Sequence, residues 1–167
     1  LSASPLLIYP DPRLRLVAEP VARFDEALRA SARELEAVML AVSALGLTLP
    51  HIGRAQRLVL LRMEPGEPVT AYVNPEIAWA SPERGPQQEG SVSMPGVMDV
   101  VDRAVRVRVA YRDLDGAARE EEAEGFRAAC LQHEIDQLDG IFWIERLSRL
   151  RRDRAIKRFA KLRRPGG

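Results

Sequence analysis

The chain has 167 residues, room for one domain with an appended tail, and 46% apolar against 29% charged residues is a globular balance that excludes wholesale disorder. Its longest apolar stretches, at 38–42 and 58–61, are far shorter than the ~20 residues that cross a bilayer, and the single Cys130 excludes a disulfide scaffold. The net charge of +1 hides nine basic residues and one acid between Arg149 and Arg164, which leaves sixteen basic against twenty-three acidic residues elsewhere.

No basic stretch followed by an apolar run opens the chain, so the expected location is a reducing cytoplasm. Phe24 to Leu45 has the apolar spacing of an amphipathic helix: Leu28, Leu35, Val38, Met39, Val42 and Leu45 recur three, four and seven apart. Asp25 is its expected N-cap and Gly46 its expected C-terminal stop. An irregular segment, Leu47 to Arg54, follows. Arg57 to Arg62 reads as a buried strand, Glu64 to Pro68 as a turn, and Val69 to Val73 as a strand closed by Asn74-Pro75.

Ser81 to Pro95 lacks periodicity and is rich in Pro, Gly, Gln and Ser, which predicts a long functional loop. Val105, Val107, Val109 and Tyr111 alternate with Arg106, Arg108 and Ala110 as in a half-buried strand. Asp113-Leu114-Asp115-Gly116 supplies a hairpin turn, and Glu120 to Glu124 the returning strand. Phe126 to Leu138 is the next helix, stopped by Gly140. A last helix, from Ser148 to Arg164, sets Leu150, Ile156 and Phe159 on a basic surface. The fold expected is α+β, with small antiparallel sheets around a central buried helix and with N- and C-terminal helices. Residues 1–147 form the expected body and 148–167 a basic helix and tail.

The central helix carries the chemistry. Phe126, Ala129, Cys130, His133 and Gln137 share one stripe, while Leu131, Ile135 and Leu138 form a second, so the helix is expected to be buried. His133, Glu134 and Gln137 are then interior polar groups that need partners. An isolated buried histidine usually bonds a carbonyl, but three polar groups on one turn point to a site. His133-Glu134-Ile135-Asp136-Gln137 is one residue short of HExxH, in which two histidines bind a metal and the glutamate handles the proton of its water. Cys130 reads as a small core hydrophobe, and Trp79 and Trp143 as packing residues.

Three separated segments make the chain resemble the peptide deformylase family, metallohydrolases that remove formyl from the N-terminal methionine of new proteins. QHExDHL is matched by Gln132-His133-Glu134-Ile135-Asp136-Gln137-Leu138, followed by Asp139-Gly140. EGCLS is matched by Glu89-Gly90-Ser91-Val92-Ser93, and GxGLAAxQ by Ala44-Leu45-Gly46-Leu47-Thr48-Leu49-Pro50-His51. The resemblance implies catalytic positions at Glu134, His51 and Val92, and metal-ligand positions at Ser91, His133 and Gln137. It also implies a pocket lined by Thr48 to Gly53 and Gln87 to Ser93.

The same comparison shows the departures. Cysteine is replaced by Ser91, the second histidine by Gln137, the glutamine by His51, and two alanines by Thr48 and Leu49, which are expected to narrow the channel. A neutral hydroxyl and an amide are poor ligands for the iron, nickel or zinc such sites use. A three-ligand site owes ~10 kcal/mol or more of metal binding to its donors, so losing two is expected to empty it. Without a metal, nothing here lowers a water pKa from ~15.7 towards 7. Three readings stay open: a protein with lost or severely reduced deformylase activity; a rebuilt hydrolase using a Ser91–His133 dyad or a His51, His133 and Glu134 metal site; and a non-catalytic binder of nascent peptides or of the ribosome through the basic helix. Formyl-Met nascent peptide is the expected partner, and no membrane is implied.

Overall fold

The computed structural model describes residues 6–165. The first five residues of the expected body and the last two of the expected tail lie outside the described residues. The elements are α1 (Glu26–Ala41), β1 (Gly46–Thr48), β2 (Leu58–Leu61), β3 (Thr70–Ala80), β4 (Arg84–Ser91), β5 (Met94–Ala104), β6 (Arg106–Arg112), β7 (Ala118–Glu124), α2 (Gly125–Leu138) and α3 (Arg149–Leu162). The α+β expectation holds. An antiparallel sheet in the order β1-β2-β3-β6-β7 lies beside a two-stranded β4-β5 ribbon.

The continuous apolar run of β2 has a simple cause. Val59 and Leu61 face α2, packing with Leu131, Ile135 and Leu138. Leu58 and Leu60 face α1, packing with Leu28, Leu35 and Met39. A strand covered on both faces has no solvent side to alternate with. A third cluster joins Met94, Val97 and Val101 of β5 to Trp143, Ala155 and Phe159, and so seats α3 on the ribbon.

Asp25 caps α1 as expected, its side chain accepting the Leu28 N–H at 3.1 Å. The end of that helix differs from expectation. It closes at Ala41, and the left-handed residue is Ser43 at φ 55°, not Gly46. Gly46 instead opens β1, opposite Leu61.

Two strands are longer than the sequence suggests. β3 runs through Asn74-Pro75 to Ala80, because Asn74 at φ 51° makes a bulge and fastens its side chain to the main chain of Val21. The expected loop 81–95 is mostly β4 and the turn into β5. β4 carries no large apolar side chain in Arg-Gly-Pro-Gln-Gln-Glu-Gly-Ser, so no apolar alternation marks it. Trp79, expected in packing, is 42% exposed at the end of β3.

Candidate functional site

Residues Ser43–Gly46, His51, Gln88–Val92, Pro95–Met98, Phe126, Ala129, Cys130, His133 and Glu134 line a cleft of about 430 Å³. It lies where α2, β1 and the β4-β5 turn converge. Ser91, Val92, His51, His133 and Glu134 therefore share one cavity, and Gln137 is not among its walls. Phe126, expected on a buried stripe, is 49% exposed at the mouth. Thr48 and Leu49 are fully buried and line no part of the cleft. Leu49 joins the α1 core, so these two residues do not narrow the channel.

His51 stands at the end of a 3-10 turn, Leu49–Ile52. Its Nδ1 accepts the Thr48 main-chain N–H at 3.0 Å and pairs with the Thr48 hydroxyl at 2.8 Å. A main-chain N–H can only donate, so the proton of this imidazole sits on Nε2. Burial, then the nearby His133, pushes the His51 pKa down to about 3. His51 is thus a neutral donor.

His133 is held from the other side. Its Nδ1 pairs with Glu89 Oε1 at 2.8 Å. Burial opposes ionisation of Glu89, but Arg103 and His133 outweigh it and hold the carboxyl at about 2. An ionised carboxylate must accept, so His133 donates from Nδ1 and leaves Nε2 for the cleft. Burial pulls the His133 pKa down, and Glu134 with Glu89 reverses this to a net rise.

Arg103 organises the surroundings. Its Nε and one terminal nitrogen grip both Glu89 oxygens at 2.7 and 2.9 Å, and the other terminal nitrogen reaches Asp136 at 2.6 Å. Arg146 completes the set with a forked pair on Asp136, at 2.9 and 2.7 Å. Sequence reasoning missed Arg103. It sits beside a valine-rich run without any local signal, and its partners come from β4 and α2.

Glu134 differs from its neighbours. It is 6% exposed, forms no ion pair among the described residues, and its Oε1 has no hydrogen-bond partner there. Burial raises its pKa against the opposing pull of His133. A Cβ on Gly46 would stand 2.8 Å from Glu134 Oε2, so the missing side chain gives the carboxylate its place.

At two of the three family ligand positions the side chain is a neutral hydroxyl or amide that makes a hydrogen bond of its own. Ser91 Oγ accepts the Ser93 N–H at 3.1 Å, and a hydroxyl is neutral at this position. Gln137 is 2% exposed and donates from Nε2 to the Leu14 carbonyl at 2.7 Å. Among the described residues, no three His, Cys, Asp or Glu side chains converge as metal ligands, so His51, His133 and Glu134 do not assemble a substitute centre in this arrangement. Nor does any hydrogen bond among them join Ser91 to His133.

The family model of polypeptide deformylase matches residues 3–153. A peptide deformylase-like protein of Brucella melitensis biotype 1 is 56% identical over 156 residues, 93% of this chain and 95% of that one. A peptide deformylase of Brucella suis biovar 1 is 41% identical over 165 residues, 97% of this chain and 94% of that one. The crystal structure of a peptide deformylase from Legionella pneumophila superposes with a TM-score of 0.91 at 35% identity, covering 98% of this chain and all of that chain. Family model, relatives and architecture agree, and the chain belongs to the polypeptide deformylase family, metal-dependent hydrolases of protein biosynthesis.

Proposed function

We propose that this chain is a deformylase-fold protein in which metal-dependent removal of formyl from N-terminal formyl-methionine is lost or severely reduced, and whose cleft is kept for binding peptide amino termini. The observation that carries this reading is the bond from Gln137 to the Leu14 carbonyl. It commits the side chain at one metal-ligand position to the main chain, outside the cleft. With Ser91 also a weak donor, His133 alone holds a divalent ion poorly. Glu134 then accepts protons but has no activated water beside it.

The resemblance supports further roles in this reading. His51 Nε2 donates to a peptide carbonyl where the family uses a glutamine, and Val92 forms the cleft wall against which the peptide lies.

Elemental analysis and a formyl-Met peptide assay test the proposal together. The unaltered protein is expected to keep no stoichiometric transition metal through dialysis and to release no formate. A variant carrying Ser91→Cys, Gln137→His and His51→Gln is expected to gain both. One tightly held metal ion per chain with ordinary turnover in the unaltered protein refutes it.

A second reading concerns α3. Arg154, Lys157, Arg158 and Lys161 are exposed and form no ion pair among the described residues, while Ala155 and Phe159 anchor the helix. This basic face suits ribosomal RNA, with binding that weakens steeply as salt rises. Reversing these four charges is expected to abolish ribosome co-sedimentation at low salt without unfolding the domain. Unchanged sedimentation rejects it.

A further inference from the structure

We propose that this chain associates with itself, the exposed basic stripe of α3 in one copy lying across the open outer face of β3, β6 and β7 in another. The stripe thereby gains a protein surface as its occupant in place of ribosomal RNA. The proposal depends neither on the RNA reading nor on what the cleft does.

The first support is the uncovered sheet face. Val107, Val109 and Ala123 turn to α2, while α1 covers β2 and the beginning of β3. On the outer side, cross-strand pairing sets Trp79 opposite Arg108 and Arg108 opposite Glu122, so the three share one row. The flanking rows are Glu76, Ala110 and Glu120, and Arg106 with Glu124. An antiparallel sheet can leave a polar face to water, but Trp79 stands 42% exposed on this one, and an indole gains by being covered. Four acids, Glu76, Glu120, Glu122 and Glu124, against two arginines, Arg106 and Arg108, give the face a net charge of −2. Among the described residues only Glu120 of these acids has an ion partner, Arg108 at 3.5 Å.

The second support is the complement that the same chain carries. Leu150, Arg154, Lys157, Arg158 and Lys161 fall at i, i+4, i+7, i+8 and i+11, one stripe of α3 turned away from the anchors Ala155 and Phe159. The four cations are exposed and form no ion pair among the described residues, and Leu150 at the head of the stripe is 62% exposed. Within one chain the two surfaces stay apart. α3 is seated on the β4-β5 ribbon, β7 is the last strand of the other sheet, and no ion pair joins them among the described residues. Between copies the charges match, and an arginine or Leu150 offers cover for the Trp79 ring. The contact joins two different surfaces, so it either closes reciprocally or builds larger assemblies as concentration rises.

Sedimentation velocity over a concentration series tests this. At low salt the unaltered protein is expected to sediment faster as concentration rises, with association at least roughly tenfold weaker in high salt, where exposed charges are screened. Two variants reverse one surface each: Glu122→Lys with Glu124→Lys on the sheet, and Arg154→Glu, Lys157→Glu, Arg158→Glu and Lys161→Glu on the helix. Each alone is expected to remain a monomer, because its two surfaces then carry like charge. Mixed together, with folds checked by circular dichroism, they are expected to associate again. A monomer throughout the unaltered series overturns the proposal, as does undiminished association in either variant or a folded mixture that stays monomeric. Should the sheet variant fold poorly, Trp79→Ala decides: association at least roughly tenfold weaker is expected, and no change overturns the proposal. Ribosome co-sedimentation without self-association counts against the present proposal alone, whereas self-association without co-sedimentation supports it and rejects the RNA reading.

Discussion

Gln137 donates its side-chain amide to the main-chain carbonyl of Leu14 at 2.7 Å, joining residues 123 positions apart. Leu14 is almost wholly buried, so this carbonyl has no water to fall back on. The bond gives the replaced ligand position a structural duty. Gln137→Ala is expected to cost about 1–3 kcal/mol, read from urea unfolding, because it strands a buried acceptor. A loss under about 0.5 kcal/mol, the level of an ordinary surface change, shows the bond to be dispensable.

His51 makes stability depend on pH. Its folded pKa is about 3, below the ordinary histidine value of 6.5. Between those values the unfolded chain binds the extra proton, so the contribution is complete above pH 6.5 and fades as pH falls towards 3. The slope from this one group reaches about 1.4 kcal/mol per pH unit. Urea midpoints at pH 7, 5 and 4 are expected to fall less steeply in His51→Gln than in the unaltered protein; parallel curves contradict the assignment.

Arg103 is 4% exposed and holds two carboxylates, the buried Glu89 and the partly buried Asp136. Removing one partner of a buried ionic set leaves uncompensated charge, and Arg103→Ala is expected to cost about 3–5 kcal/mol. Arg103→Lys recovers little of this, because an ammonium cannot fork onto Glu89 while reaching Asp136. Thermal unfolding of both variants checks the ranking.

Two glycines are expected to resist alanine for different reasons. At Gly140, φ is 74° and an added Cβ would lie 2.4 Å from the Arg15 carbonyl oxygen, a main-chain clash with no easy escape. The cost expected is about 3 kcal/mol or more. At Gly46 the neighbours are Glu134 Oε2 at 2.8 Å and Leu61 Cδ1 at 3.0 Å, both side-chain atoms. Gly46→Ala is expected to cost about 1–3 kcal/mol and to displace the carboxylate. Chemical denaturation gives both numbers, and reversal of the order rejects the steric argument.

Much of the fold was legible residue by residue. The three-and-four spacing of Leu28, Leu35, Val38 and Met39 locates α1, the alternation of Val105 to Tyr111 locates β6, and Asp113 to Gly116 locates the turn to β7. The motif residues His51, Ser91, Val92, His133 and Glu134 do meet in one cleft. The β4-β5 ribbon escaped because its pairing is carried by main-chain groups, which every residue type except proline supplies alike.

The sequence by itself determined the helices, most strands and the motif positions, since burial on one face imposes a local period that a short window records. Only the tertiary structure decided where the polar side chains go. Gln137 turns to Leu14, Glu89 to Arg103 and His133, and Glu134 to no described partner. Those choices depend on distances between segments far apart in the chain, and hydrogen bonds and charges are satisfied only by the neighbours that folding brings within reach.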